Sequence, residues 1–253
     1  MGAKDIIVRP ITSQEAGALV KRVHYSGKVV QNSTLHLGVF WMGRLEGAMQ
    51  FGSPLDRRKM LPLVRGSEWN QMLELNRMAF GEALPRNSES RALGVAFRMF
   101  RKHRPDIKWI LSFADGTQCG DGAIYRASGF LLTGIKANSQ MWRMPGGQTV
   151  SRTTMTKAQH TAKTGGAASM RAVEAAGGRP MAGYQLRYLL FLDSTWRARL
   201  TVPVIPFDHI PADARMYRGQ KTSAGSSEPP GHPPREGGST PTPALLLDGS
   251  SRV

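Results

Sequence analysis

Cysteine is nearly absent from this chain of 253 residues, which contains only Cys119. A single thiol excludes an intramolecular disulfide and a cysteine-based zinc cluster. Long apolar runs are also missing, since no stretch approaches the roughly 18 apolar residues that a membrane-spanning helix needs. The N-terminal segment lacks the basic start and apolar core of a signal peptide. We therefore expect a soluble, cytoplasmic protein without a membrane partner.

Acidic residues are scarce. The chain has 18 Asp and Glu against 34 Lys and Arg, a formal net charge of +16 and a sequence pI of about 10.8. No acid occurs between Asp121 and Glu174, a stretch that holds the cations Arg126, Lys136, Arg143, Arg152, Lys157, Lys163 and Arg171. The excess charge either serves solubility alone or binds a polyanion. Its uneven distribution favours nucleic acid, and we expect double-stranded DNA as a partner.

Composition divides the chain into a folded part and a tail. Residues 1–218 are expected to form one domain, in which 144–183 is a basic, glycine-containing insertion. Within it, Thr149–Thr164 is interpreted either as an arm that follows the DNA backbone or as a simple loop. Residues 219–253 are rich in Gly, Pro, Ser and Thr, and we expect them to be disordered.

Strand and helix patterns alternate along the domain. Thr12 and Glu15 have the spacing of a capping box, and Ser88 is predicted as the N-cap of a long helix. Strands are predicted at 6–9, 35–41, 45–51, 73–80, 109–114, 130–135 and 185–192, and helices at 12–23, 88–103 and 121–128. This mixture predicts an α/β (α+β) fold with a mixed central β-sheet flanked by helices. The tryptophans expected in the core are Trp41, Trp69, Trp109 and Trp142.

His24 and Tyr25 follow the first predicted helix in the segment "VHYSGK". An imidazole and a phenol together can bind a metal or transfer protons. The alternative is an ordinary helix end with two aromatic side chains.

Two acids and the only thiol lie in one segment, "LSFADGTQCGDGAIYRASGF". Asp115 ends an apolar strand, and Asp121 precedes a short helix that carries Tyr125. Catalytic groups often lie on loops at the carboxyl ends of strands. The alternative is a strand-turn-helix in which Asp121 caps the helix and Cys119 is a small buried residue.

A third segment, "LPRNSESRALG", opens the long helix. Backbone N–H groups at a helix N-terminus bind phosphates, which would suit the pyrophosphate of a coenzyme A or a nucleotide. The spacing of a P-loop is absent. The residues predicted to form this anion cradle are Arg86, Asn87, Ser88 and Ser90, and the alternative is a capped helix with solvated arginines.

Taken in order, several blocks resemble the Mom family of phage DNA-modification proteins. They are "HYSGKVVQNSTLHLGVF", "LEGAMQFG", "LELNRMAF", "LPRNSESRALG", "WILSFADGTQCGDGAIYRASGF" and "GIKANSQMWR". The resemblance is densest over residues 1–143 and continues to about 218. It implies a GNAT-like acyltransferase fold. It also implies conversion of adenine in double-stranded DNA to N6-(carbamoylmethyl)adenine, which protects phage DNA from host restriction.

The resemblance also implies cofactors and site residues. It associates the chain with acetyl-CoA and with iron, and it places the iron ligands on His24, Tyr25, Asp115 and Tyr125. Tyr25, Asp115 and Tyr125 are also expected to be catalytic, together with Arg77. Imidazole, carboxylate and phenolate suit iron better than metals that prefer thiolates. The glycines of the usual GNAT pyrophosphate loop are missing from "PRNSESRALG", which is a departure from that fold group.

Three functions remain open at this point. The first is the iron-dependent, acetyl-CoA-linked DNA adenine-modifying enzyme. The second is a GNAT N-acetyltransferase that acts on a protein or a small molecule, and the third is a DNA-binding protein without enzymatic activity. The sequence does not fix the oligomeric state, for which a dimer is one option.

Overall fold

A seven-stranded sheet organises the computed structural model, which describes residues 2–24, 26–116, 120–152 and 170–211. These residues belong to one compact unit, Met1–Gly219. The tail predicted at 219–253 lies outside the described residues.

The described strands and helices follow the predicted order closely. The strands are β1 Ile7–Pro10, β2 Ser33–Trp41, β3 Arg44–Gly52, β4 Met72–Phe80, β5 Trp109–Asp115, β6 Leu131–Ala137, β7 Met141–Arg143, β8 Thr149–Ser151, β9 Arg179–Pro180 and β10 Tyr184–Phe191. The helices are α1 Ser13–Val23, α2 Arg57–Met60, α3 Ser88–His103, α4 Ala123–Ala127 and α5 Met170–Ala175. Short 3-10 turns occupy Ala3–Asp5, Leu61–Leu63, Ser194–Arg199 and Phe207–His209. The predicted mixed α/β fold is confirmed.

The large sheet has the strand order β1-β2-β3-β4-β5-β10-β6. Its neighbours pair antiparallel except β4 and β5, which run parallel. That parallel pairing is short, because only Met72–Glu74 of β4 pair with Trp109–Leu111 of β5. Beyond these residues the two strands are no longer paired.

The two faces of the sheet carry different layers. Along β5, Ile110 and Ala114 face the main core, which includes buried residues of α3. The alternate residues Trp109 and Leu111 face a second cluster built around Leu63 and Trp196. Helix α1 lies on this second face, since it packs on Ala48 of β3, whereas the neighbouring Met49 belongs to the main core.

Local signals explain most element boundaries. The Thr12 hydroxyl accepts a hydrogen bond from the Glu15 N–H at 3.2 Å, and the Glu15 carboxylate accepts one from the Thr12 N–H at 2.8 Å. The predicted capping box is therefore confirmed. The N-cap of α3 is one residue earlier than predicted: Asn87, with φ of 68°, takes this position, and Ser88 is the first helical residue. A small polar residue tolerates this left-handed conformation better than most.

The basic insertion and the residues just before it contain structure that was not predicted. Strands β7, β8 and β9 form a small sheet in the order β8-β7-β9, and Trp142 of β7 is buried against Val173. Strands of two or three residues are too short to show an alternating pattern, which explains the omission. Most of the proposed arm Thr149–Thr164 lies outside the described residues.

Two of the tryptophans expected in the core, Trp109 and Trp142, are fully buried, and Trp41 is half-buried. The expectation for Trp69 was wrong, because its side chain is 60% exposed. No helix among the described residues is long and apolar enough to cross a membrane.

The capping box provides a test of this fold, because α1 leads directly to His24. Thr12→Ala should lower the free energy of unfolding by about 1 kcal/mol in urea titrations, since the Glu15 N–H loses its acceptor and the Glu15 carboxylate loses the hydroxyl that donates to it. Ser13→Ala is the matched control, as this exposed neighbouring hydroxyl has no capping role. Equal losses in the two variants would contradict the assignment of the cap to Thr12.

Candidate functional site

A cavity of about 310 Å³ opens where β4 and β5 separate. It is lined from β4, from the end of β5, from the turn into α4 and from the residue that follows α1. The lining residues are His24, Leu75, Asn76, Arg77, Met78, Phe113, Ala114, Asp115, Gly120, Asp121, Gly122, Ala123, Ile124 and Tyr125.

Five of the residues singled out from the sequence line this cavity. They are His24, Arg77, Asp115, Asp121 and Tyr125, which are separated by up to about a hundred positions in the chain. Tyr25, which was predicted with them, lies outside the described residues, as does Cys119. The fold thus brings together the residues to which a shared role was assigned.

A bulge in β4 positions Arg77. The register with β3 changes here, since Gln50 pairs with Arg77 while Phe51 pairs with Leu75, and Asn76 is the extra residue. The side-chain carbonyl of Asn76 accepts a hydrogen bond from the Ser33 hydroxyl at 3.0 Å. The Arg77 guanidinium donates to the backbone carbonyls of Asn76, at 2.8 Å, and Lys28, at 3.3 Å. These bonds link β4 to the segment that follows α1.

His24 is a neutral imidazole in this arrangement. Burial, and to a lesser degree the nearby Arg77 cation, lowers the pKa of His24 from 6.5 to about 4. The Ser26 N–H donates to Nδ1 at 3.1 Å, and the Ser26 hydroxyl lies 2.9 Å from the same nitrogen. Because Nδ1 accepts a hydrogen bond from the Ser26 N–H, we assign the ring proton to Nε2.

Glu74 lies outside the lining of the cavity but interacts with Arg77 and Asn76, which line it, and sequence reasoning missed this acid. Burial raises the pKa of this carboxyl to about 7, although the Arg77 cation and a hydrogen bond with Asn76 act in the opposite direction. The sequence pattern that could have revealed this acid is a single carboxyl between two leucines in a predicted strand. Leu73 and Leu75 are both buried in the structure. The carboxyl therefore changes charge near neutral pH beside the guanidinium that lines the cavity.

Aromatic rings form the wall behind Tyr125. The Tyr125 ring lies 5.2 Å from the rings of both Phe130 and Tyr188. The buried Tyr188 hydroxyl donates to the backbone carbonyl of Asp121, and burial raises the pKa of that phenol. Gly122 has φ of 74°, and a Cβ there would lie 2.6 Å from the Tyr188 ring, so this turn requires glycine. Neither Tyr188 nor Gly122 was singled out from the sequence.

The donor types at the cavity fit an iron ion if a tyrosine takes part. Among the described residues, no three His, Cys, Asp or Glu side chains are close enough to hold a metal. A site would thus combine His24 and Asp115 with the phenol of Tyr125, a set of nitrogen and oxygen donors that iron accepts. His24 could bind through Nε2 only after its proton moves to Nδ1, where the Ser26 hydroxyl could accept a hydrogen bond from it.

The predicted anion cradle lies apart from this cavity, whose lining contains none of its four residues. Arg86 and Asn87 are exposed. Ser88 is fully buried and donates its hydroxyl to the Pro85 carbonyl at 2.6 Å, while the Ser90 hydroxyl donates to the Asn87 carbonyl at 3.2 Å. The two hydroxyls thus have partners within the turn, and the cradle remains a prediction.

Residues 5–209 match the Mom protein family. Methylcarbamoylase mom of Escherichia phage Mu is 39% identical over 134 residues, which are 53% of this chain and 55% of the phage protein. The match therefore spans about half the length of this curated relative.

Solved acetyltransferase structures are more distant. The ribosomal-protein-S18-alanine N-acetyltransferase from Escherichia coli aligns with 10% identity and a TM-score of 0.43, over 74% of this chain and 94% of that enzyme. An acetyltransferase of the GNAT family from Streptococcus pneumoniae aligns with 10% identity and a TM-score of 0.41, over 74% and 99% of the two chains.

The raised pKa of Glu74 leads to a pH-dependent prediction for stability. The carboxyl holds its proton more tightly when folded, with a pKa of about 7 against 4.5 when unfolded. Stability is therefore lost as the pH rises from 4.5 through 7. Glu74→Gln should raise the melting temperature at about pH 8.5, with little effect at about pH 4.5.

Thermal melts at the two pH values test this prediction, with Glu82→Gln as the control at an exposed carboxylate. A melting temperature that falls in Glu74→Gln at the higher pH would mean that the carboxylate stabilises the fold through Arg77, contrary to this account.

Proposed function

The chain belongs to the Mom protein family, and from this premise we propose that it is an enzyme that converts adenine in double-stranded DNA to N6-(carbamoylmethyl)adenine. The observation that carries the proposal is the convergence of His24, Arg77, Asp115 and Tyr125 on one cavity. The formal net charge of +16 suits a DNA substrate. The product would protect phage DNA from restriction in the host cytoplasm.

The size of the cavity suits one base. At about 310 Å³ it lies near the lower end of ligand pockets, which begin at roughly 300 Å³. The target N6 lies inside the duplex, so the adenine has to leave the base stack before it reaches these residues. Leu75, Met78 and Phe113 supply apolar lining, and Asp115 supplies an acceptor for the exocyclic amine.

The proposed reaction gives roles to three residues of the cavity. The new bond joins N6 to the methylene carbon of the carbamoylmethyl group, and N6 loses one proton. We assign Asp115 to accept a hydrogen bond from N6–H and then that proton. Arg77 donates to the carbonyl oxygen of the incoming two-carbon unit, and Tyr125 lies against the base from the aromatic wall. The rings of Phe130 and Tyr188 pack against the Tyr125 ring and hold its phenol in place.

Two cofactors complete the proposal. Iron held by His24, Asp115 and Tyr125, with Tyr25, would supply the one-electron chemistry that activates a methyl carbon. Acetyl-CoA would be the source of the two carbons: one C–H bond of its methyl group would break, with two electrons passing to an external oxidant such as dioxygen. A nitrogen donor such as ammonia would displace the coenzyme A thiol at the carbonyl to give the amide. Its pyrophosphate would bind at the start of α3, where Arg86 and Asn87 are exposed beside the backbone of Ser88 and Ser90.

Substitutions at the cavity test the activity. Plasmid DNA from bacteria that express the chain is digested to nucleosides and measured by mass spectrometry. The wild type should give deoxyadenosine heavier by one carbamoylmethyl substitution. Asp115→Asn and Tyr125→Phe should lower its amount by about 100-fold or more, because the first removes the proposed proton acceptor and the second removes a proposed iron ligand.

Tyr184→Phe is the matched control, since this half-buried tyrosine lies outside the lining of the cavity. It should modify DNA like the wild type. Full modification by both cavity variants would contradict the proposed site. Unmodified adenine with the folded wild type would contradict the proposed reaction and favour plain acetyl transfer or DNA binding alone.

Metal content tests the ligands independently of activity. Iron that copurifies with the chain, measured by elemental mass spectrometry, should fall roughly tenfold or more in His24→Ala and in Asp115→Ala. His103→Ala, at an exposed position in the last turn of α3, should retain the wild-type iron content. Equal iron content in all three variants would exclude these ligands.

A further inference from the structure

A basic surface with an exposed tryptophan lies on the same face of the sheet as α1. It is formed by residues 55–69, which precede β4, and by the 3-10 turn Ser194–Arg199, and we name it the Trp69 surface. Its exposed cations are Arg57, Arg58, Lys59, Arg65, Arg197 and Arg199.

Backbone hydrogen bonds join the two segments into one platform. The Arg65 N–H donates to the Arg199 carbonyl at 2.8 Å, and the Thr201 N–H donates to the Leu63 carbonyl at 3.0 Å. Below them, Leu63 and Trp196 are buried in the second hydrophobic cluster. The cations are therefore presented by an ordered part of the fold.

The platform is next to the candidate site. Its buried cluster includes Trp109 and Leu111 of β5, and Phe113 packs against it. Phe113 also lines the cavity, so one side chain touches both the platform and the site. A polyanion bound on the Trp69 surface would therefore lie close to the cavity that its reactive part has to enter.

The charge on this surface is largely uncompensated. Of its acids, Asp56 forms an ion pair with Lys59 at 2.7 Å, and Glu68 is exposed. Within the described residues, no salt bridge is found for the five arginines of the surface. A surface with no polyanionic partner would normally mix both signs of charge.

Trp69 gives the surface an apolar tip. Its indole is 60% exposed, and Leu55 nearby in the chain is 89% exposed. The indole lies 5.6 Å from the Arg57 guanidinium. Its turn is held in place, since Ser67 accepts a hydrogen bond from the buried Trp109 indole at 2.9 Å, and the Gln71 N–H donates to the Glu68 carbonyl at 3.1 Å. Aromatic and aliphatic side chains among arginines are typical of surfaces that touch both phosphates and bases.

We propose that the Trp69 surface binds duplex DNA, with its arginines on the phosphates and the Trp69 indole against the bases. DNA is favoured over an acidic protein because Phe113 joins this surface to the cavity that is proposed to act on DNA. This inference rests on the proposed function, because it assigns a docking surface to the DNA that the cavity would modify.

Binding of the full chain to a short, fluorescently labelled mixed-sequence duplex, measured by anisotropy over a range of salt concentrations, tests the arginines. The double variant Arg58→Gln/Arg197→Gln should lower the slope of log Kd against log salt by roughly 2, since each lost phosphate contact removes about 0.9. The control Arg98→Gln/Lys102→Gln removes the same charge from the exposed side of α3, on the opposite face. It should leave the slope unchanged.

Trp69 is tested separately from charge. Trp69→Ala should weaken duplex binding by about tenfold, whereas Trp69→Phe should retain most of it. Binding of polyglutamate, a polyanion without bases, should be the same in Trp69→Ala and in the wild type. Equal losses for DNA and polyglutamate would overturn the assignment to nucleic acid.

The outcomes separate this inference from the proposed function. Equal slopes in the two double variants would show that only net charge matters, and would overturn the docking surface. If the wild type modifies DNA in cells while the Trp69-surface variants bind duplex normally, the surface assignment fails and the reaction stands. If the wild type binds duplex in this way but never modifies adenine, the surface stands and the reaction fails.

Discussion

The early separation of β4 from β5 is the constraint on which the site depends. The two strands pair in parallel over three residues and then part, and the space between them becomes the cavity. On one side the bulge at Asn76 sets Arg77 at its wall, and on the other β5 ends at Asp115. Strand β10 then pairs antiparallel with β5, which places Tyr188 behind Tyr125. A β4 that stayed paired with β5 along its length would leave no room for a base.

This arrangement requires polar groups in places where a stable core would be apolar. A row of cross-strand neighbours runs from His36 through Gln50 to Arg77 on the face covered by α1. Gln50 is fully buried; its amide nitrogen lies 3.2 Å from His36 Nδ1, and its carbonyl oxygen has no hydrogen-bond partner among the described residues. Burial likewise raises the pKa of the Glu74 carboxyl to about 7. Such groups reduce stability, and proteins concentrate them where function needs them.

Local patterns allowed much of this fold to be predicted. The capping box at Thr12, the two strands predicted at 35–41 and 45–51, and the long helix α3 all depend on residues close together in the chain. Candidates for the site were found because His24 and Asp115 lie at element ends, Tyr125 lies on the next short helix, and all three match a family pattern. Tyr188 and Glu74 were missed, because their roles arise from which strands become neighbours and from how deeply they are buried. Trp69 was wrongly predicted to lie in the core, because hydrophobicity alone does not distinguish a buried residue from an exposed one that binds a partner.

The central claim is that the cavity between β4 and β5 receives an adenine from duplex DNA. Replacing Phe113 with a photoreactive phenylalanine analogue, irradiating the protein with duplex DNA and identifying the attached nucleoside by mass spectrometry tests this directly. Phe113 lines the cavity, so the account predicts cross-links to deoxyadenosine in excess over the other three nucleosides. The same analogue at Phe100, a buried residue of α3 in the main core, should give none. Cross-links spread equally over the four nucleosides, or no cross-link while the protein still binds DNA, would contradict the claim.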